Sequence, residues 1–320
     1  MNRVEPDSLR VRPCPLCGWP GGRTVFDLEA EEFCRVNWTY SRDYRSILGL
    51  PTPAHFPIDR CAACGFLFAR LLPTPGFLRT VYEKVIQSEE CRQGSENGAS
   101  YSRRLRYVAT LIALTEAFGK TAARALDFGA GLGVTLRILE ACGLEAWGLD
   151  PSPSRQSYAL GAGSHVAAAV DEIRASGPFD LLVCDNVLEH LPDPRGAIGT
   201  LGKLLAPGAV AFVSVPDYGP AMLGRQLTAH RLGRPLDMTL NPWEHLSYFT
   251  AHHLDSVLAD AGLRRLPASD IDAPVNIGLR PERSRMRRFK NAAASLLRLG
   301  RYATTGRAVE TTEAAFYRKE

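Results

Sequence analysis

Leu126-Asp127-Phe128-Gly129-Ala130-Gly131-Leu132-Gly133 is the stretch that decides the fold. Arg124 to Phe128 is a short apolar run that reads as a strand, and Leu132 to Cys142 has the apolar spacing of a helix. Between them Gly129, Gly131 and Gly133 lack a β-carbon, so the backbone can turn sharply and come close to a ligand. Working outward, Tyr101 to Phe118 spaces Leu105, Val108, Leu111 and Ile112 as a helix does. Glu145 to Leu149 forms a second strand that ends at Asp150-Pro151-Ser152. Phe179 to Cys184 and Ala209 to Val215 are continuous apolar runs, the pattern of strands buried on both faces. Pro194 to Leu205 and His252 to Ala261 supply further helices. Strands alternating with helices imply right-handed crossovers and an α/β, doubly wound sheet.

In such a sheet a ligand binds beyond the carboxyl ends of the strands, beside the first strand-to-helix turn. Asp150 stands there, able to accept hydrogen bonds from both ribose hydroxyls of an adenosyl group. A nicotinamide dinucleotide loop has the spacing G-x-G-x-x-G, whose third small residue would fall on Val134. This loop reads D-x-G-x-G-x-G instead. Its leading acid, Asp127, suits a ligand amino group and not a pyrophosphate, so the charge favours a methionine tail.

With these residues in place the chain resembles the class I S-adenosylmethionine-dependent methyltransferases over roughly residues 105 to 265. Leu126 to Gly133 is similar to that family's first motif and Gly148-Leu-Asp-Pro-Ser152 to its second. Phe179 to Pro194, with Asp185-Asn-Val-Leu-Glu-His190, is similar to the fourth-strand segment. Leu204-Leu-Ala-Pro-Gly208 and Val213-Ser-Val-Pro-Asp217 match the turn that follows, except that Ala209 stands where Pro-Gly-Gly is usual. The resemblance implies a Rossmann-like fold and S-adenosylmethionine as cofactor. It implies that Asp127, Gly129, Ala130, Gly131 and Gly133 cradle the methionine part. Asp150 and Pro151 would meet the ribose, Asp171 or Glu172 the adenine, and Asp185 and Asn186 would line the pocket.

The 320 residues can hold one large domain and something smaller. A hydrophobic share of 45% and a charged share of 22% are those of an ordinary globular protein, and a net charge of +4 is too small to argue for nucleic acid. With no apolar run at the N-terminus and none of membrane-spanning length, the expected location is the cytoplasm. Among eight cysteines, Cys14-Pro-Leu-Cys17 and Cys61-Ala-Ala-Cys64 form two knuckles. Away from an oxidising compartment, four such thiolates read as a closed structural zinc site. The segment between the knuckles, with Trp38, Tyr40 and Tyr44, must loop out or add structure of its own. Residues 1–75 are therefore expected to be a small zinc-ribbon-like head, and 76–278 the methyltransferase domain with an acceptor-site insertion near 217–250. This pattern resembles the zinc-binding head of a methyltransferase subgroup that includes sugar C-methyltransferases.

Methyl transfer is an in-line displacement, so the protein mainly positions the acceptor and removes its proton. Two places offer bases: Glu189-His190 past the fourth strand, and Glu244-His245 in the connection after the fifth. Each also has a structural reading, His190 as a loop cap and Glu244-His245 as a contact before the helix that Thr250 caps. The sugar C-methyltransferases use a His and a Glu-His pair at matching places. The resemblance therefore implies His245 as the base, with Glu244 orienting it and His190 assisting. It departs at Pro242-Trp243, where a tyrosine is expected.

Arg280 to Arg307 is rich in arginine, with Met286, Phe289, Ala293, Leu296 and Leu297 near helical spacing. Residues 279–320 are thus expected to be a basic helical tail, packed on the domain or lying on an anionic membrane. The expected activity is methyl transfer to a hydroxyl or activated carbon of a small-molecule acceptor, such as a sugar or glycan-related metabolite. The alternatives are an RNA or protein methyltransferase and a non-catalytic binding protein with a cofactor fold.

Overall fold

The structure is a computed structural model, and it describes residues 9–35, 40–86, 93–161, 164–234, 236–237, 239–267, 270 and 312–320. The strands in chain order are β1 Leu9–Val11, β2 Gly22–Glu29, β3 His55–Cys61, β4 Leu67–Ala69, β5 Leu71–Pro73, β6 Arg124–Phe128, β7 Glu145–Leu149, β8 His165–Ala167, β9 Phe179–Asp185, β10 Leu205–Pro216, β11 Ser247–Tyr248, β12 Leu263–Arg265 and β13 Thr312–Lys319. The chain divides into two compact units.

One unit contains residues 95–186, 200–215 and 258–320. It is built on a seven-stranded sheet of order β12-β13-β10-β9-β6-β7-β8. The pairs β10/β9, β9/β6, β6/β7 and β7/β8 are parallel. From β6 the chain proceeds outward through β7 and β8, then returns to β9 on the other side. The order of strands therefore reverses between β6 and β9, which is where an open α/β sheet forms its crevice. The helix Gly98–Ala117 starts at Asn97, whose side chain accepts from the Ser100 amide at 2.9 Å. Its Tyr107, Val108, Leu111 and Leu114 enter the sheet's core with Leu136, Leu139, Val183 and Phe212. Gly148 in β7 is a packing requirement: a β-carbon there would stand 2.7 Å from Leu136 Cδ1 and 2.8 Å from Ala130 Cβ.

The expected helical tail is corrected at its end. Thr312–Lys319 is a strand, paired antiparallel with β12 and lying between β12 and β10. Ala314, Ala315, Phe316 and Tyr317 are all buried, as in a central strand covered on both faces. Such a run does not alternate, and amid basic residues it was hidden from a periodicity reading. The stretch Arg280 to Arg307 lies outside the described residues.

The other unit contains residues 1–94, 187–199 and 216–257. Its antiparallel sheet has the order β11-β4-β3-β2, and β1 pairs with β5. The segment between the knuckles does add structure, with helices Ala30–Cys34 and Tyr44–Leu48. The segment near 217–250 packs with residues 9–86. Trp243 explains this: it is fully buried among the rings of Phe33, Phe56, Tyr40, Tyr44 and Phe77, with centroids 4.5 to 6.2 Å away. Its indole Nε1 donates to Tyr40 Oη at 2.8 Å, so even its polar edge is satisfied within this core. Among the described residues no helix is long and apolar enough to cross a membrane.

Candidate active site

The loop after β6 is built as its glycines require. Gly129, Gly131 and Gly133 have φ of 80°, 54° and 72°, a left-handed region costly for other residues. The Gly131 amide donates to Asp150 Oδ2 at 2.8 Å, and the Ser152 amide to Asp150 Oδ1 at 2.9 Å. Asp150 is thereby fixed at the end of β7, each oxygen keeping capacity to accept once more. Ala130 is buried under the loop, and Pro151 is exposed beside Asp150. Asp127 is buried, and its Oδ2 has no hydrogen-bond partner among the described residues. Burial pushes its carboxyl up to about 7; Arg104 opposes the rise, and Asp185 and Asp150 add to it.

Asp185 closes β9 and is heavily bonded. It pairs with Arg103 at 2.8 Å and accepts from Ser214 Oγ at 2.5 Å, Asn186 Nδ2 at 3.0 Å and Tyr107 Oη at 3.4 Å. Asn186 follows in the left-handed region, φ 56°, with its amide donating to Ser214 O. Asp171 is not turned inward: its side chain is 87% exposed and pairs with Arg174 at 2.9 Å. Glu172 accepts from the Ala169 amide and caps its own short helix. Arg103 and Tyr107 escaped sequence reading, because the helical pattern of 98–117 marks a core face and says nothing of what its polar members meet.

The two histidines come together within the second unit. The ring centroids of His190 and His245 are 4.6 Å apart, edge to face. His190 Nδ1 lies 3.0 Å from Glu244 O and 3.2 Å from Tyr82 Oη, and its Nε2 is 3.8 Å from Glu189 Oε1. His245 Nδ1 donates to Thr239 O at 2.8 Å. With both Nδ1 atoms set against backbone carbonyls, each Nδ1 carries a proton, and in a neutral ring the lone pair then falls on Nε2. Burial lowers His245 to about 4, opposed by its bond to Thr239 and by Asp237, so the ring is neutral at pH 7. Ligating atoms of Glu189, His190 and His245 lie within 4.8 Å of one another, a donor set able to take a proton or a divalent cation.

Glu244 departs from its expected role. Its carboxylate meets Tyr40 Oη at 3.1 Å and Asn241 Nδ2 at 3.4 Å, while the carbonyl of Thr239 is what orients His245. Glu189 is the carboxylate of the cluster. Tyr40, 204 residues from the Glu244 it bonds, and Thr239 were missed because no motif joins them to this site. Tyr82, named by no motif, is placed by its contact with His190.

The four knuckle sulfurs are also gathered. Those of Cys14, Cys17, Cys61 and Cys64 all lie within 4.8 Å of one another, with Cys14 to Cys64 at 3.7 Å and Cys17 to Cys61 at 3.5 Å. All four are free thiols. Each knuckle closes with a glycine amide on its first cysteine: Gly18 N to Cys14 O, 2.9 Å, and Gly65 N to Cys61 O, 3.0 Å. Burial pushes the Cys14 and Cys64 thiols up. At Cys61 burial acts the same way, but amide bonds from Cys64 and Ala63 win and take it down to about 7.

The family described as Methyltransferase domain matches residues 101–267, more than half of the chain. The chain belongs to this methyltransferase family. The class I S-adenosylmethionine-dependent methyltransferase family expected from the sequence is thereby shown. A relative named ubiquinone biosynthesis O-methyltransferase, from Psychrobacter arcticus, is 26% identical over 175 residues, 50% of this chain and 66% of the relative. Another of that name, from Xanthomonas euvesicatoria pv. vesicatoria, is 32% identical over 127 residues, 37% of this chain and 51% of the relative. The chain therefore spans about half to two thirds of the length of these relatives. Among solved structures, the plantazolicin methyltransferase BamL in complex with triazolic desmethylPZN analog and SAH is 17% identical with a TM-score of 0.48. That likeness covers 72% of this chain and 90% of BamL.

Proposed function

We propose that this methyltransferase transfers the methyl group of S-adenosylmethionine to a hydroxyl oxygen or activated carbon of a small molecule, and that a sugar or glycan-related metabolite is the acceptor. The observation that carries the reading is the pinned, neutral His245. Its Nδ1–H is committed to Thr239 O, so its Nε2 is the proton acceptor, beside His190 and Glu189. An acceptor whose nucleophile forms by losing a proton needs such a group. Glu189 stabilises the imidazolium that results, and Glu244, held by Tyr40 and Asn241, fixes the backbone on which His190 Nδ1 rests.

The cofactor supplies an electrophilic methyl group on a sulfonium. The residues at the ends of β6 and β7 fit it: Asp127, with its buried unpartnered oxygen, would hold the ligand's ammonium, and Asp150 would accept from the ribose. At Gly131 a β-carbon would meet nothing closer than Gly129 O at 4.0 Å, so the space beside that glycine is open. Asp185 and Asn186 line the same strand end, and Asp171 is left to solvent. The cysteines fit zinc equally well. A tetrahedron with Zn–S of about 2.3 Å has sulfurs about 3.8 Å apart, and the observed 3.5 and 3.7 Å approach that spacing without an ion. Cys14, Cys17, Cys61 and Cys64 would hold it as a closed structural site.

The zinc head supports the sugar reading through its resemblance to the sugar C-methyltransferase subgroup. The names of the relatives support an oxygen acceptor. Against amide-nitrogen methylation, β9 ends in Asp185-Asn-Val-Leu188 and not in Asn-Pro-Pro-Tyr. The test is transfer of label from methyl-labelled S-adenosylmethionine to a panel of hydroxylated small molecules and nucleotide-linked keto sugars, beside bulk RNA and protein. Turnover on a small molecule that drops about 100-fold or more in His245→Ala, with S-adenosylhomocysteine affinity retained, is expected. Binding without turnover on any acceptor would make the chain a silent cofactor-fold protein.

A further inference from the structure

The two knuckles do more than close on one another: side chains radiate from them to both histidine-bearing segments. Arg12, two residues before Cys14, is buried and has its guanidinium spread over three backbone carbonyls. Nε donates to Ala69 O at 2.9 Å, Nη1 to Pro192 O at 3.1 Å, and Nη2 to Leu246 O. Pro192 is two residues past His190, and Leu246 immediately follows His245. Leu246 is itself doubly tied, its amide to Glu189 O at 2.7 Å and its carbonyl also to the Ala69 amide at 3.0 Å. From the other direction, Arg195 Nη1 donates to Leu16 O, inside the first knuckle, at 2.7 Å. His253 Nε2 lies 3.1 Å from Cys64 O, in the second knuckle, with Nδ1 on Thr250 Oγ1 at 2.8 Å.

A guanidinium offers five donors in a rigid fork, so one residue can fix three strands of backbone in a way that a flexible ammonium cannot. Its partners here are carbonyls, which carry direction but no countercharge, so the fork serves geometry. The segments that carry His190 and His245 are thus each bonded to a knuckle or to the residue that leads into one, while Thr239 and Tyr82 set the rings from elsewhere. We infer that the cysteine head is the positioning device of the histidine cluster, that Arg12 is its principal positioning residue, and that metal in the knuckles holds His190 and His245 in their single-tautomer arrangement. The inference rests on the readings given above for zinc and for the histidines. A misplacement of about 1 Å in such a group can cost about 100-fold in rate, which is a reason to build a rigid mount for it.

The experiment reads the imidazoles and not turnover, so its failure is separate from failure of the proposed activity. Full-length protein, labelled with 15N at its seven histidines, is examined by long-range proton-nitrogen correlation, with metal content measured on the same samples. Wild type is expected to hold one zinc and to show His190 and His245 each with the proton on Nδ1. Arg12→Lys and Arg195→Gln should displace both signals and mix their tautomers, while the His165 signal and S-adenosylhomocysteine affinity stay unchanged. Removal of zinc by a chelator should produce the same displacement. If Arg12→Lys does not fold, Arg195→Gln, at the edge of the first knuckle, still decides. Unchanged His190 and His245 signals in the variants, or in folded zinc-stripped protein, overturn the inference, as does wild-type protein that carries no metal.

Discussion

The cofactor loop and the histidine cluster are built in opposite ways. Asp127, the three glycines and Asp150 fall within 24 consecutive residues, and their roles follow from two strand ends and one turn. The histidine cluster draws Tyr82, Glu189, His190, Thr239 and His245 from three separate pieces of chain, joined by a core centred on Trp243. A site within one supersecondary motif is written locally, since backbone conformation supplies most of its geometry. A site assembled across a core depends on packing that no short stretch encodes.

The sharpest way to break this contrast is Trp243→Ala. It would open a large cavity among Phe33, Phe56, Tyr40, Tyr44 and Phe77 and leave Tyr40 Oη without the indole donor. Truncations of this size cost about 3 to 5 kcal/mol. In a unit of this size, the melting transition that reports on residues 9–86 should fall by roughly 10 °C. Affinity for S-adenosylhomocysteine, measured by calorimetry, should stay within about twofold of wild type. Parallel loss of both would show that the two regions fold as one cooperative whole and that the contrast is only one of chain order.

This difference also sets how much was legible in the sequence. The doubly wound sheet, the loop and Asp150 were readable because a period change and a glycine spacing are properties of adjacent residues. The cysteine tetrad was readable across 43 intervening residues because thiolate pairs have a chemistry of their own. Glu189 and His190 are adjacent in sequence and come to the cluster together, whereas the carboxylate of Glu244 is met by Tyr40 and Asn241. The sequence shows that Glu244 adjoins His245, while only packing shows its carboxylate turned toward Tyr40 and Asn241. Strand β13 was lost for a related reason: four consecutive buried residues carry no period to read.

On the cofactor side, Asp150→Ala is the next test in size. The substitution removes the acceptor for the Gly131 and Ser152 amides as well as the proposed ribose contact. Hydrogen bonds to a charged group are worth about 1.5 to 3 kcal/mol each. S-adenosylhomocysteine should therefore bind at least about 100-fold more weakly, while the histidine signals and the melting of the other unit stay in place. A drop below about tenfold would mean that the loop glycines, and not Asp150, carry recognition.

The smallest effect is the most specific to Asp127. Its carboxyl stands at about 7 because it is buried, with Asp185 and Asp150 adding to the rise against Arg104. Near neutrality the folded protein thus carries this group about half protonated. An ammonium beside Oδ2 favours the ionised form, so binding should expel the proton. The sign follows: affinity for S-adenosylhomocysteine rises with pH through 7 and levels off above it. At pH 6 only about one carboxyl in ten is ionised, so binding there should be about tenfold weaker than at pH 8. Calorimetry in buffers of differing ionisation enthalpy should also show proton release at pH 7 that fades by pH 8. Asp127→Asn should flatten the profile at the weak end. A profile that is flat in the wild type would place the ligand's amino group away from Asp127, and would leave that buried oxygen as a feature of the loop's own construction.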